Sequence, residues 1–202
     1  MSLGPRTHLL TALTCLISGC GATVPVAVSI PDPLVEALPL TVAVVYDEEF
    51  SQYTYTEKAT GTDWSINLGT STTTMFDRVV SKAFAKVVRL DAVPSNGETA
   101  QGVDLVLKPT VDEYAFLTPA DAGVDFYSVS IRFQVTAYAP NGAPLDQWNI
   151  NSYGRTRAKK LSAKDSLGTA TDLALRDAAA TMALDFKQRP QILALLPGTS
   201  GT

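Results

Sequence analysis

The sequence predicts an α+β domain, in which a curved, mostly antiparallel but mixed sheet of about five to six strands carries two helices packed on one face. Residues 128–137 alternate between polar and apolar side chains, as a half-buried strand does. The turn around Asn141-Gly142 then predicts that residues 145–157 return as the second strand of an antiparallel hairpin. Two further segments, beginning at Ser71 and Ser162, repeat apolar side chains with helical spacing. Packing both helices on one face of the sheet buries both apolar stripes.

The first half of the chain supplies three of the predicted strands and one helix. Residues 40–46 are apolar and β-branched and predict a buried first strand. Residues 47–63 are polar and aromatic and predict a loop or an irregular hairpin, followed by a short strand over 64–68. A run of Ser and Thr predicts a capped helix over 71–88, from which residues 87–90 leave as a strand.

The second half supplies the long strands and the second helix. Residues 103–117 predict a strand that is bulged or at a sheet edge near Pro109, because proline lacks the N–H that a ladder needs. Ser162 and Asp165 have the spacing of a helix capping box. Five apolar residues form the predicted buried stripe of this helix: Leu167, Ala174, Leu175, Ala178 and Met182.

Composition excludes several classes of protein. The 202 residues are 46% hydrophobic, which excludes wholesale disorder, and the formal net charge of −4 argues against a nucleic-acid-binding protein. The single histidine, His8, and both cysteines, Cys15 and Cys20, lie within the first 20 residues. Removal of the residues before Cys20 would therefore leave the chain with no histidine and a single cysteine.

The N-terminus has the features of an export signal. Arg6 precedes an uncharged apolar run over residues 9–17, which is too short to span a membrane. Ile17-Ser18-Gly19-Cys20 resembles the bacterial lipobox, which implies cleavage before Cys20 and three acyl chains on that residue. Gly21, rather than Asp, follows the cysteine, which implies sorting to the outer membrane. The alternatives are an ordinary signal peptide or an apolar start to the fold.

These features divide the chain into four parts. Residues 1–19 are the predicted signal peptide, and residues 20–39 the lipidated cysteine with a proline-rich tether. Residues 40–189 form one periplasmic domain, and residues 190–202 a C-terminal arm with a flexible tail. The prolines of the tether favour extended backbone, so that it reaches up to about 60 Å from the membrane.

The processed chain retains little catalytic equipment. Without His8 and Cys15 there is no triad of the Ser-His-Asp or Cys-His type, and the sequence holds no phosphate-binding glycine motif. No cofactor, metal site or catalytic residue is therefore predicted. Two carboxylate clusters, residues 47–49 and 112–113, leave a glycosidase-like pair, a hard-cation site or simple solvated charge as alternatives.

Five residues are candidates for contact with a partner or ligand. Arg155 and Arg157 share one face of the predicted hairpin strand and suit lipid headgroups, an anionic glycan or an acidic partner, or else are a solvated strand end. Tyr53, Tyr55 and Tyr127 lie in polar surroundings and suit either an interface or half-buried loop anchors.

The order of these elements resembles that of small envelope lipoproteins with a YajG, CsgG or TolB-N-terminal type domain. The resemblance rests on Trp64-Ser65-Ile66-Asn67-Leu68-Gly69, the helix with Phe76 and Phe84, the segment Asp104-Leu105-Val106-Leu107-Lys108-Pro109 and the hairpin. It implies an accessory or assembly part of an outer-membrane machine, and in some relatives a ring.

Three functions follow from the sequence. The first is a non-catalytic, outer-membrane-anchored periplasmic lipoprotein that binds another envelope protein or itself, through an exposed sheet edge or an aromatic loop. The second is a binder of an envelope glycan, lipid or peptidoglycan. The third is a carboxylate-based hydrolase.

Overall fold

The computed structural model describes residues 21–27, 29–59, 61–158 and 162–198. The predicted signal peptide and Cys20 lie outside these residues. The described elements, in chain order, are β1 (Gly21–Val24), β2 (Leu38–Val45), α1 (Glu48–Ser51), β3 (Thr54–Ala59), β4 (Thr62–Asn67), α2 (Gly69–Ala83), β5 (Phe84–Leu90), β6 (Leu105–Leu117), α3 (Pro119–Ala122), β7 (Phe126–Tyr138), β8 (Pro144–Arg157), α4 (Ala163–Asp185) and α5 (Pro190–Leu193).

The strands form two sheets, which corrects the prediction of one. The larger sheet has the order β5-β2-β6-β7-β8, with β2 parallel to both of its neighbours and β6, β7 and β8 antiparallel. The smaller sheet has the order β1-β4-β3. It exists because β3, which lies in the segment predicted as a loop or an irregular hairpin, pairs with β4 and not with the large sheet. The mixed α+β class is confirmed, although the described helices number five and not two.

The core lies on one face of the large sheet, here called the inner face. Alternate residues of β7 are at most 1% exposed: Val129, Ile131, Phe133 and Val135. Helices α2 and α4 and the small sheet cover this face, with the Trp64 ring centre 5.7 Å from that of Phe116. The polar–apolar alternation of this strand therefore predicted its buried face correctly.

Helix α4 lies unusually close to strand β8. A Cβ atom at Gly154 would collide with the backbone of Ala170 and Ala174, so this contact requires glycine. The backbone N–H of Tyr153, which β7 does not use, donates to Asp177 Oδ2 at 3.0 Å. At the start of the helix, Ser162 is the N-cap and accepts from the Asp165 N–H, as predicted. The predicted buried stripe of α4 is also confirmed.

Helix α2 differs from its prediction at both ends. Its N-cap is Leu68, which makes no side-chain cap, and the hydroxyl of Thr73 donates back to the Gly69 carbonyl. The Ser/Thr run is therefore inside the helix and does not cap it. The helix ends at Ala83, because Phe84 is extended (φ −129°, ψ 149°), so residues 84–88 belong to β5 and not to the predicted helix.

Pro109 is accommodated much as the sequence predicts. The pairing of β6 with β2 covers residues 105–107, so Pro109 lies just beyond the end of that ladder. The register with β7 then shifts between Val111 and Glu113, where β6 bulges. Proline is tolerated here because no N–H is required at this position.

The segment between β1 and β2 is packed on the body and does not extend from it as a free tether. This strap comprises residues 25–27 and 29–37. Ile30 is only 3% exposed, and its carbonyl accepts a hydrogen bond from the Arg78 guanidinium. Asp32 forms ion pairs with Arg78 at 3.4 Å and with Lys82 at 3.2 Å. Its prolines keep the strap non-helical, as predicted, but apolar and ionic contacts hold it against α2.

Candidate functional site

The outer face of the large sheet, which is the face away from α2 and α4, is covered at one end only. The loop between β5 and β6 closes over Ala43, Val45 and Val106 through Val93 and Val103. At the other end β6 finishes, β7 begins and β8 finishes, and side chains of all three strands are exposed. We call this the Phe126 end of the sheet.

Strand register decides which side chains meet on this bare part of the outer face. Ser128 is opposite both Leu117 of β6 and Arg155 of β8, and Ser130 is opposite both Ala115 and Tyr153. A shallow groove of about 280 Å³ runs between these strands, lined by Ala115, Phe116, Leu117, Ser128, Val129, Ser130 and Tyr153. We call this surface the outer-face groove.

The groove exposes large side chains that a core would normally bury. Leu117 is 52% exposed and Tyr153 is 53% exposed. The Tyr153 hydroxyl donates to Ser128 Oγ at 3.0 Å, which holds the ring along the strands. The Tyr153 ring therefore has a fixed orientation on the outer face, where Leu117, Arg155 and Arg157 are also exposed.

Arg155 and Arg157 lie together at the end of this groove, on the ring of Phe126. Their guanidinium carbons are 3.7 Å and 5.6 Å from the ring centre. Within the described residues neither arginine has a carboxylate partner, whereas Arg132, further along the same face, pairs with both Asp112 and Glu113. This arginine cluster, Phe126 with Arg155 and Arg157, therefore presents two cations available to an anion.

Tyr127 does not join this cluster. It is 8% exposed and points to the inner face, opposite to its neighbour Phe126. Burial raises the pKa of its phenol. The interpretation of Tyr127 as a contact residue is therefore wrong, because successive residues of a strand face opposite ways.

Tyr53 and Tyr55 are half-buried anchors of the small sheet. The Tyr55 ring centre lies 4.9 Å from that of Tyr114, and its hydroxyl donates to Glu57 at 2.7 Å. Burial and the Glu57 carboxylate raise the pKa of Tyr55 to about 12. The Tyr53 carbonyl accepts from the N–H groups of Leu68 and Gly69. The structure does not bring these two tyrosines to the arginine cluster.

Most of the carboxylates singled out in the sequence have partners within the chain. Asp47 accepts from the Phe50 N–H at 2.9 Å and pairs with Lys108 at 2.9 Å. Burial opposes its ionisation, but these hydrogen bonds outweigh burial and lower the pKa of Asp47. In the part of the chain that the structure describes, no group of three or more His, Cys, Asp or Glu side chains is placed to hold a metal ion.

Comparison with known proteins shows a likeness of fold. No protein-family model and no curated protein sequence matches the chain. A homologue of neuraminyllactose-binding hemagglutinin from Helicobacter pylori is similar in structure, with a TM-score of 0.52 and 11% identity over 83% of this chain and 95% of that one. The likeness to the YajG, CsgG and TolB-type domains stays a prediction.

Two further solved structures resemble the chain more weakly. A Xanthomonas campestris protein of the family DUF330 gives a TM-score of 0.49 at 12% identity, over 82% of this chain and 97% of that one. A Caulobacter crescentus structure named as a lipoprotein gives 0.40 at 11% identity, over 63% and 82%. Among the described helices, none has the length and apolar character to cross a membrane.

Proposed function

We propose that this protein is a lipoprotein held on the periplasmic face of the outer membrane by an acylated Cys20, and that its domain is a non-catalytic accessory or assembly component of an envelope complex. The partner is another envelope protein or a second copy of this chain. The observation that carries the proposal is the outer-face groove, where Leu117 and Tyr153 are each about half exposed on the uncovered part of the outer face.

The anchor follows from the sequence of the first 21 residues. A basic residue, a short apolar run and Ile17-Ser18-Gly19-Cys20 occur in the order that lipoprotein processing uses. Several acyl chains on one cysteine make membrane attachment effectively stable, because each buried CH₂ group contributes about 0.8 kcal/mol.

The shape and composition of the groove favour a protein partner. Pockets for small ligands enclose most of the ligand in roughly 300–1,000 Å³, whereas this groove is shallow, open to solvent and at the lower end of that range. Tyrosine is enriched at the centres of protein interfaces, and the Tyr153 ring is held in the groove by the hydrogen bond of its hydroxyl to Ser128. The middle of the β8 edge is occupied, since Asp177 accepts the Tyr153 N–H. Contact through the sheet face is therefore favoured over strand addition at this point.

A second candidate function is binding of an anionic envelope glycan, lipid or peptidoglycan. The observation that favours it is the arginine cluster, whose two guanidinium groups lack carboxylate partners within the described residues. The Helicobacter pylori protein of similar fold is named for binding neuraminyllactose, and that name describes the other protein. A carboxylate-based hydrolase ranks third, because Asp47 caps α1 and both Asp112 and Glu113 pair with Arg132.

Site-specific photocrosslinking in the native envelope tests the partner proposal. A photoreactive residue at position 153 is expected to capture a protein, which mass spectrometry then identifies. The matched control is position 184 on α4, because Leu184 is equally exposed at 57% but lies away from the groove. Capture at neither position, together with a monomeric protein after purification, would contradict the accessory role.

Membrane attachment is tested separately. Cys20→Ser is expected to move the protein from the membrane fraction to the soluble periplasmic fraction. A Cys20→Ser protein that stays with membranes would overturn the lipid anchor and leave the groove proposal to its own experiment.

A further inference from the structure

We infer that the Phe126 end of the sheet lies directly against an anionic lipid bilayer, so that the lipid anchor and the arginine cluster contact the same membrane. The inference rests on the proposed acylation of Cys20. It goes further, because it assigns a membrane-binding surface to the folded domain and defines the orientation of that domain relative to the membrane.

The first step is that no flexible linker separates Cys20 from the folded domain. Gly21 to Val24 form strand β1, which pairs in parallel with Asp63 to Ile66 of β4. Ala22 and Val24 are 5% and 2% exposed, so this strand is part of the core. Cys20 is joined to Gly21 by one peptide bond. Acyl chains on Cys20 would therefore hold the edge of the folded body at the membrane surface.

The second step is that Gly21 and the arginine cluster lie at the same end of the molecule. Ala22 is opposite Trp64, whose ring packs on Phe116 near the end of β6. Phe116 is in turn opposite Val129, three residues into β7. Helix α4 gives the same placement. Gly168, in the second turn of α4, lies against the Pro25 carbonyl and the Val24 side chain at the end of β1.

The third step is the composition of this end. Val124, in the turn before β7, is 50% exposed, and Phe126 close to it is partly exposed. Arg155 and Arg157 add two cations without carboxylate partners among the described residues. Apolar side chains beside arginines match a bilayer surface, where hydrocarbon lies beneath anionic headgroups and guanidinium groups bind phosphate.

Asp121 and Asp63, two of the acidic residues at this end, are bound within the chain. The Asp121 carboxylate accepts from the hydroxyl and N–H of Thr118 and completes the cap of α3. Asp63 pairs with Lys58 at 3.8 Å. Asp125 is the exposed carboxylate nearest to the cluster in sequence. The groove residues Ser130 and Tyr153 lie on the sheet face further from this end, which leaves the outer-face groove accessible to a protein while the end contacts lipid.

The test measures bilayer proximity at two matched positions. The full lipidated chain carries Val124→Cys or Leu184→Cys, because Cys15 precedes the cleavage site and the Cys20 thiol is acylated. Leu184 is as exposed as Val124 but lies about 30 Å along α4 from its N-terminal turn. Each variant is labelled with an environment-sensitive fluorophore and reconstituted into vesicles of phosphatidylethanolamine and phosphatidylglycerol containing nitroxide-labelled lipid. Position 124 is expected to be quenched and position 184 to stay unquenched.

A charge variant tests the role of the arginines. Each basic residue near an anionic surface strengthens binding by about fivefold, so R155E/R157E should shift the docked-to-undocked ratio by roughly 25-fold or more and remove the quenching at position 124. Lys86→Glu is the control, because Lys86 lies on β5 opposite Thr41, far from the Phe126 end. Lys86→Glu should leave the quenching at position 124 unchanged. In neutral phosphatidylcholine vesicles, R155E/R157E and the protein without these changes should be quenched equally at position 124.

The outcomes separate the two proposals. Vesicle flotation reports the anchor, and quenching reports the orientation. Flotation with equal quenching at both positions, or quenching insensitive to R155E/R157E on anionic vesicles, overturns the docked orientation and leaves the anchor standing. Absence of both acylation and flotation overturns the anchor and the orientation together.

Discussion

The guanidinium carbon of Arg155 lies 3.7 Å from the centre of the Phe126 ring, although Arg157 and not Arg155 is the residue directly opposite Phe126 in the ladder. Arg157 is 5.6 Å from the same ring centre. A cation over an exposed aromatic face contributes about 0.5–1 kcal/mol. The diagonal pair should therefore be the stronger of the two.

A double-mutant cycle tests that order. Arg155→Ala combined with Phe126→Leu is expected to give a coupling free energy of about 0.5–1 kcal/mol, and the Arg157→Ala cycle a smaller one. Denaturant unfolding of the purified protein provides the free energies. Both arginines are exposed, so the single variants should stay folded. Equal coupling in the two cycles would contradict the assigned geometry.

Gly154→Ala should be among the most destabilising single-methyl changes in the chain. The added Cβ would collide with the Ala170 carbonyl and the Ala174 nitrogen, and α4 would have to move away from β8. Overpacking of this kind costs about 1–3 kcal/mol. The change should lower the free energy of unfolding by that amount in a denaturant titration. Gly21→Ala is the control, since no atom lies within 4 Å of its added methyl group. Equal stability of the two variants would argue against tight packing of α4 on β8.

The elements that were predicted correctly from the sequence are those whose packing is determined by a pattern of neighbouring residues. The alternation of β7 and the capping spacing of Ser162 with Asp165 both carry over into the structure, because each reflects contacts made within a few residues. Strand β1 could not be recognised in this way. Its four residues gain their structure from β4, some 40 positions away, and the prolines that follow favour an extended chain whether it is free or docked.

The two arginines of the arginine cluster were identified from the sequence but Phe126 was not, although the sequence contains enough information to place Phe126 beside them. Arg155 and Arg157 were correctly placed on one face, but Tyr127 was chosen where Phe126 belongs. A hairpin centred on Asn141-Gly142 already places Phe126 opposite Arg157. Whether a residue faces the helices or the solvent depends on tertiary packing, so the exposure of Tyr153 required the structure.

The strap should open when its buried side chain is shortened. Ile30 is 3% exposed, and Ile→Ala changes in such positions cost about 2–5 kcal/mol. Because the strap is short and lies on the surface, the expected result is local release, seen as faster cleavage within residues 29–37 in limited proteolysis. Unfolding of the rest of the body should change less.

Asp32→Asn is the matched ionic variant of the strap. Its partners Arg78 and Lys82 are each about half exposed, and ion pairs of this kind contribute less than about 1 kcal/mol. Its effect on cleavage should be smaller than that of Ile30→Ala and should vanish at high salt. A larger effect of Asp32→Asn would show that charge and not burial holds the strap.

Ionisation of buried tyrosines should make the protein lose stability in alkali. Burial is the main cause that raises the pKa of Tyr114 above its usual 10.0, and it does the same for Tyr46, where Asp77 adds to the effect. The neutral phenol is therefore the form that the folded state favours. Its contribution is complete below pH 10 and is lost as the pH rises through the raised pKa, which for Tyr55 is about 12.

Tyr114→Phe removes one of these buried phenols. The Thr171 hydroxyl hydrogen is donated to the Leu167 carbonyl at 2.9 Å, so the Tyr114 hydroxyl is the donor in its 2.8 Å bond to Thr171. Removing that bond should cost about 1 kcal/mol near neutral pH. Above about pH 10 the variant should lose stability less steeply than the unaltered protein, because it has no phenol to ionise at this buried position. Chemical unfolding across the alkaline range measures both effects, with the exposed Tyr153→Phe as the control. Parallel stability curves for Tyr114→Phe and the unaltered protein above pH 10 would show that ionisation of Tyr114 does not drive alkaline unfolding.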